Sequence, residues 1–304
     1  LSPSNDSDPK PDDNTQVLGI GLAVLAVLLF ACLNVMTKHT SVTYSMIQIL
    51  WFRYLLLSGF GLGLAVRKHK KAAFRSQVPL LQVARGVLLA TEAGLYVFAF
   101  RHLPLAEISA VSGTAPMVVT AMSALMLREV IGIRRWTAVV AGFVGVLIIV
   151  RPGFAVFNPW MLAPLFGTVL WALYQVLTRL VSQYDDPERT TMFTGTVGLG
   201  LACIALPFFW EPVDLEWLLK LLLLAVLGGA GHSTLIKALS LAPASLIQPF
   251  SYTGMVWAVL FGWLFFGDVP AVTTLFGASI IIASGLYTLH RQKLRRGDPK
   301  TQSV

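Results

Sequence analysis

The chain has 304 residues, of which 56% are hydrophobic and only 12% are charged. A soluble domain carries about 25% charged residues, so the composition excludes an ordinary water-soluble protein and leaves a membrane protein long enough for many spans. The net charge of +8 does not require a nucleic-acid partner, because basic residues collect in the cytoplasmic loops of membrane proteins.

Residues 1–16, LSPSNDSDPKPDDNTQ, lack apolar periodicity and are rich in Pro, Asp and Ser, which predicts a disordered tail. Their acidic character also lacks the basic start of a secretory signal peptide. Ten apolar runs follow, near 17–37, 43–66, 78–100, 105–127, 134–150, 158–181, 190–210, 215–239, 243–266 and 270–290. Each approaches the length of about 20 residues that crosses a bilayer, and they are numbered here as spans 1 to 10. A basic stretch, 291–304, closes the chain as a second tail.

The loops set the orientation. One side carries Arg67, Lys68, Lys70, Lys71 and Arg75 in a single loop and Arg291, Lys293, Arg295 and Arg296 at the end. The other side holds only Lys38, Arg101, Arg151 and Lys220. The excess of Lys and Arg marks the cytoplasmic face, so both termini are expected in the cytoplasm.

The runs repeat. An offset of 139 aligns 104–129, PLAEISAVSGTAPMVVTAMSALMLRE, with 243–268, PASLIQPFSYTGMVWAVLFGWLFFGD. It pairs Pro104 with Pro243, Ser112 with Ser251, Thr114 with Thr253 and Glu129 with Asp268. An offset of 141 aligns 26–38 with 167–179, pairing Asn34 with Gln175 and Lys38 with Arg179. The spans thus fall into two halves of five, 17–151 and 158–290, and the odd number in each half inverts the second relative to the first. Inverted repeats are the architecture of alternating-access carriers, with the substrate near the midplane between the halves.

These segments, Leu-Pro-Leu-Ala…Pro in span 4 and Ala-Pro-Ala-Ser…Gly-Asp in span 9, resemble the EamA family of the drug/metabolite transporter superfamily over 17–290. Within it the chain is most similar to YddG-type exporters of aromatic amino acids. The resemblance implies an all-α inner-membrane permease of a bacterial cell. Ten transmembrane helices would form two inverted five-helix repeats around one central cavity, and no cofactor is implied. Glu129 fits the family's acid after span 4. Asp268 stands after span 9, where Glu is more common.

Ionisable and polar groups inside a membrane are costly unless they face protein or water, so they are the functional candidates. In span 3, Arg85, Glu92 and Tyr96 share a face. Glu92 reads as a cavity group or as half of an ion pair with Arg53 or Arg85, and Arg85 as a side chain that snorkels to the cytoplasmic end. Span 6 carries the stripe Trp171, Tyr174, Gln175, with Asn34 and Phe30 opposite in span 1. Span 9 offers Gln248, Ser251 and Tyr252, and span 4 offers Ser112. His232 in span 8 reads as a proton or carboxylate site, or as a packing histidine. Pro116, Pro249, Gly113 and Gly254 are candidate hinges for gating. Spans 1, 3, 4, 6, 8 and 9 therefore line the expected cavity, and 5 and 10 are peripheral. Gly59, Gly63, Gly195 and Gly198 are read as close helix contacts, and Trp136, Trp160, Trp210 and Trp217 as interfacial anchors.

Catalytic residues and metal ligands are not expected: Cys32 and Cys203 have no ligand spacing, and the sequence carries no HExxH, DxD, GxSxG or GxxxxGK. The aromatic and neutral polar inventory points to a neutral or aromatic amino acid as the substrate, exported by alternating access. The expected partners are the small-molecule substrate and the lipid bilayer, with no nucleic acid, and the protein would be a monomer or weak homo-oligomer. A lipophilic cation, held by Glu92 and aromatic walls, is the alternative cargo.

Overall fold

The computed structural model describes residues 13–126, 133–150, 158–181, 183–241 and 250–296. Eleven α-helices are used below: α1 (Asp13–Ser41), α2 (Met46–His69), α3 (Pro79–His102), α4 (Leu105–Ser112), α5 (Ala115–Met126), α6 (Ile133–Val150), α7 (Leu162–Val181), α8 (Pro187–Ala205), α9 (Leu215–Leu241), α10 (Thr253–Phe266) and α11 (Val272–Arg296). Among the described residues there is no strand. Seven helical stretches are long and apolar enough to cross a membrane, and three shorter apolar helices, Trp136–Val150, Thr253–Phe266 and Val272–Tyr287, complete the spans read from the sequence. At both ends helix runs past the expected limits: α1 begins at Asp13, and α11 continues through the basic residues to Arg296.

Local chemistry sets the boundaries. The Ser45 side chain accepts the Gln48 amide and caps α2, satisfying one of the orphan N–H groups of the first turn. Pro79 and Pro187 open α3 and α8, where a missing N–H costs nothing. Gly267 ends α10 in the left-handed region, with φ of 67°, and its turn closes with Asp268 N–H donating to the Gly262 carbonyl at 3.0 Å, a glycine-dependent C-cap.

The helices pack in a closed set of pairs: α1 with α9, α2 with α8, α3 with α7, α6 with α11, and α4 with α10. In span numbers these are 1 with 8, 2 with 7, 3 with 6, 5 with 10 and 4 with 9. Replacing each span by its counterpart in the other half returns the same set, which is what a two-fold relation between halves requires. Small residues make the tightest approaches. A Cβ on Gly61 would lie 2.8 Å from the Met192 backbone nitrogen, one on Gly195 2.7 Å from Ser58, and one on Gly145 2.9 Å from the Gly277 carbonyl oxygen. Gly59 and Gly63, expected as contacts, face open space instead. In the run GFGLG the contacting glycine of α2 is Gly61, the middle one, because a helix turns about 100° per residue.

Spans 4 and 9 are both broken, at the same repeat position. In span 4 the helix interrupts at Gly113–Thr114, and Thr114 Oγ1 donates to the Val111 carbonyl at 2.7 Å. In span 9 it interrupts at Tyr252, and Thr253 Oγ1 donates to the Phe250 carbonyl at 2.6 Å. Both threonines reach back three residues to a carbonyl at the break, and the Val111 carbonyl also accepts the Thr114 N–H at 3.1 Å. Pro116 lacks the N–H that would continue the ladder of span 4.

The outward faces are apolar. Phe60, Val140, Phe143, Phe166, Ile204, Leu223, Val256, Leu264 and Phe276 are exposed, as expected of side chains turned to lipid. Trp136, Trp160 and Trp210 are exposed too. Trp217 is not a free anchor, because it stacks on His39 with ring centroids 5.4 Å apart and meets Tyr44 edge-on at 5.5 Å.

Candidate substrate cavity

The pairing of α1 with α9 and of α3 with α7 brings the polar residues of separate spans around one interior space. Phe30 and Asn34 on α1, Glu92 and Tyr96 on α3, Ser112 at the end of α4, Trp171, Tyr174 and Gln175 on α7, and His232 on α9 are all half-buried. Phe30, Trp171 and Tyr174 pack against one buried cluster, so their helices turn these faces toward one another.

The aromatic wall is ordered. Trp171 and Tyr174 stack with centroids 5.4 Å apart and planes 21° apart. On the Trp171–Tyr174 stripe the Arg85 guanidinium lies 4.8 Å from the Tyr174 ring centroid, a cation–π contact. Phe30 meets His232 edge-on at 5.2 Å. Gly231 makes room for Phe30, since a Cβ there would come within 2.8 Å of the ring. The Tyr96 hydroxyl lies 3.1 Å from Thr168 Oγ1, and its ring occupies the space a Cβ on Gly167 would fill.

Arg85 does not snorkel. It is 1% exposed; its Nε donates to Thr178 Oγ1 at 2.9 Å and its NH1 to Gln82 Oε1 at 2.8 Å. Gln82 Nε2 in turn donates to Asp185 Oδ2 at 2.9 Å. Buried Asp185 also accepts from the Ser76 hydroxyl and from the Gln77 N–H at 3.3 Å, with Arg189 at 3.9 Å. Burial pushes the Asp185 carboxyl up, but the Ser76, Gln82 and Gln77 donors and the Arg189 charge outweigh it and hold the group below the usual carboxylate range. The guanidinium is thus satisfied internally, the only affordable state for a cation without water.

Arg53 on α2, which the sequence offered only as an ion-pair partner for Glu92, belongs to the same region. It is half-buried, and its charge acts on Glu92 and on His232. Among the described residues, neither Arg53 nor Glu92 has a hydrogen-bond or ion-pair partner. The Glu92–Arg53 ion pair, one of the alternatives read for Glu92, is therefore not closed among the described residues. The signal was in the sequence: Arg53 is an arginine eight residues into an apolar span, which is itself a functional-site indication.

Other expected members fall elsewhere. Tyr252 departs from the cavity wall: it is 7% exposed, its hydroxyl is buried against span 10, and a Cβ on Gly285 would collide with it. Tyr252 lies at the helix break, and the altered twist there turns its ring toward α11. Ser251 is exposed. The Ser112 hydroxyl donates to the Ser109 carbonyl at 3.1 Å, a local bond common for serine in membrane helices. Of the hinge candidates, Gly113 lies at the span 4 break against Met255, and Gly254 beside Val27. Gln248 and Pro249 lie outside the described residues. At one end of the molecule His69, Asp186 and Glu188 are near enough to share a cation, but Lys68 lies 3.9 Å from Asp186 and 2.9 Å from Glu188 and supplies that charge.

A family model described as the EamA-like transporter family matches the chain twice, over residues 17–151 and 158–289. The chain belongs to the EamA-like transporter family. It is 26% identical over 282 residues to a riboflavin transporter of Brucella anthropi, covering 88% of this chain and 97% of that protein. It is 24% identical over 282 residues to an S-adenosylmethionine uptake transporter of Rickettsia bellii, covering 92% and 96%. The pseudopaline exporter CntI of Pseudomonas aeruginosa is 31% identical over 276 residues, covering 88% and 94%. A solved crystal structure superposes with a TM-score of 0.61 at 18% identity, covering 92% of this chain and 98% of the other, so the fold is shared. The EamA protein is a multi-pass membrane transporter and not an enzyme. Its relatives carry different cargoes, uptake and export both occur among them, and they do not single out aromatic amino-acid exporters.

Proposed function

We propose that this EamA transporter carries a small zwitterion with a flat or aromatic body, most directly aromatic and other neutral amino acids, by alternating access across a bacterial inner membrane. The observation that carries the reading is the stacked Trp171–Tyr174 pair, on helices that also bring together an acid, Glu92, and an arginine, Arg53, neither of which has an ion-pair partner among the described residues. An aromatic side chain stacks on the wall. The substrate ammonium meets Glu92, and its carboxylate meets Arg53, whose planar fork matches a carboxylate. Riboflavin and S-adenosylmethionine, the cargoes named for two relatives, also present flat ring systems. A lipophilic cation fits less well, because it would meet the Arg53 charge as well as Glu92. The basic loops place both termini in the cytoplasm, and export is the direction taken from the resemblance to YddG-type proteins. Labelled tryptophan flux in proteoliposomes containing only this protein tests the reading. Trp171→Ala should lower tryptophan flux by about tenfold, the effect of ~1.4 kcal/mol of lost stacking, and alanine flux much less. Equal losses for both would remove the aromatic wall from the account.

A further inference from the structure

Lys38 lies one helical turn beyond the cavity residue Asn34 on the same face of α1. Its Nζ is 2.6 Å from Asp268 Oδ2, donates to the Leu103 carbonyl at 3.1 Å, and sits 4.8 Å from the Phe266 ring centroid. One ammonium thus gathers the ends of spans 1, 3 and 9. We propose that Lys38 and Asp268 form a charged latch that closes the cavity at this end and must part for the end to open.

Three observations support a device rather than a brace. The acid is aimed by geometry: the left-handed Gly267 turn reverses the chain after α10 and delivers Asp268 to Lys38. The pair is only partly shielded, with side chains 15% and 24% exposed, so water can take over both charges when they separate, and the cost of parting stays low. Span 9 is broken at Tyr252, so α10 and the acid it carries can swing relative to α1 about that point. In sequence, each half carries a basic residue after its first span and an acid after its fourth, Lys38 with Glu129 and Arg179 with Asp268. The charges are therefore a property of the repeat and not of one loop.

The test uses the full chain in proteoliposomes without substrate, so it is independent of which cargo is carried. Spin labels at Val42 and Val269, both exposed, report the separation of spans 1 and 9, with Cys32 and Cys203 replaced by serine. Lys38→Gln or Asp268→Asn should raise the long-distance to short-distance ratio about two- to fivefold. The swap of Lys38→Asp with Asp268→Lys should restore it. High salt should shift the unmutated pair in the same direction, which keeps the proposal testable if a single variant fails to reconstitute. Unchanged distances in the single variants or in salt would overturn the latch, and lowered thermal stability with unchanged distances would make the pair a brace.

Discussion

The two ends of the transporter are tied by different chemistry. At the Lys38 end, a single ion pair joins spans 1 and 9. At the Asp185 end, a buried chain of bonds runs from Tyr174 and Thr178 through Arg85 and Gln82 to Asp185, Ser76 and Gln77. The first can be broken by solvating two groups. The second would leave several buried polar groups orphaned at once. The network ties α3 to α7, helices that pack as a pair, and to the loop that leads into α8, whereas the ion pair joins α1 to the far end of α10, the helix that starts at the span 9 break. The difference separates a contact made to open from one made to hold helices together as a body.

The largest expected effect comes from breaking the network. Arg85→Ala removes the guanidinium from Thr178, Gln82 and the Tyr174 ring and should cost about 3–5 kcal/mol, read as a large loss of thermal stability in detergent. Lys38→Gln at the other end should cost no more than about 1 kcal/mol. Comparable losses at the two ends would erase the distinction.

Packing gives a second, smaller contrast. Gly61→Ala pushes a methyl group into the Met192 backbone and should cost about 1–3 kcal/mol. Gly59→Ala meets open space and should be neutral or stabilising by about 0.5–1 kcal/mol, the helix preference for alanine. Thermal melts of the two variants side by side check this.

The smallest effect is a pH dependence. The Asp185 carboxyl is held below its usual range in the folded protein. Its stabilisation is therefore present above the unfolded carboxylate value, about 3.9, and is lost as pH falls through the lower folded value. Asp185→Asn should flatten the acid side of the stability curve. A curve of unaltered shape in Asp185→Asn would remove the carboxylate from the network.

Much of this was legible in the sequence. Span length, the basic loops and the offset between 104–129 and 243–268 gave ten helices in two related halves, and the aromatic stripe of α7 was read from helical spacing alone. What escaped depended on side-chain direction and on partners distant in sequence. Arg85 was read as snorkelling because its partners Thr178 and, through Gln82, Asp185 lie about a hundred residues away. Tyr252 was placed on the cavity face because the helix was assumed continuous through a break that turns it toward Gly285. Arg53 lacked a repeat partner, and the sequence left it only as one possible ion-pair partner of Glu92.

Competition against labelled tryptophan flux by three compounds tests the central claim most directly: tryptophan itself, tryptamine without the carboxylate, and indole-3-propionate without the ammonium. The account predicts that tryptophan competes at least about tenfold better than either analogue, each lost charge pair being worth ~1.4 kcal/mol or more. It also predicts that Arg53→Gln removes the advantage over tryptamine and Glu92→Gln the advantage over indole-3-propionate. Tryptamine competing as well as tryptophan in the unmutated protein would contradict the account and identify a carrier of lipophilic cations.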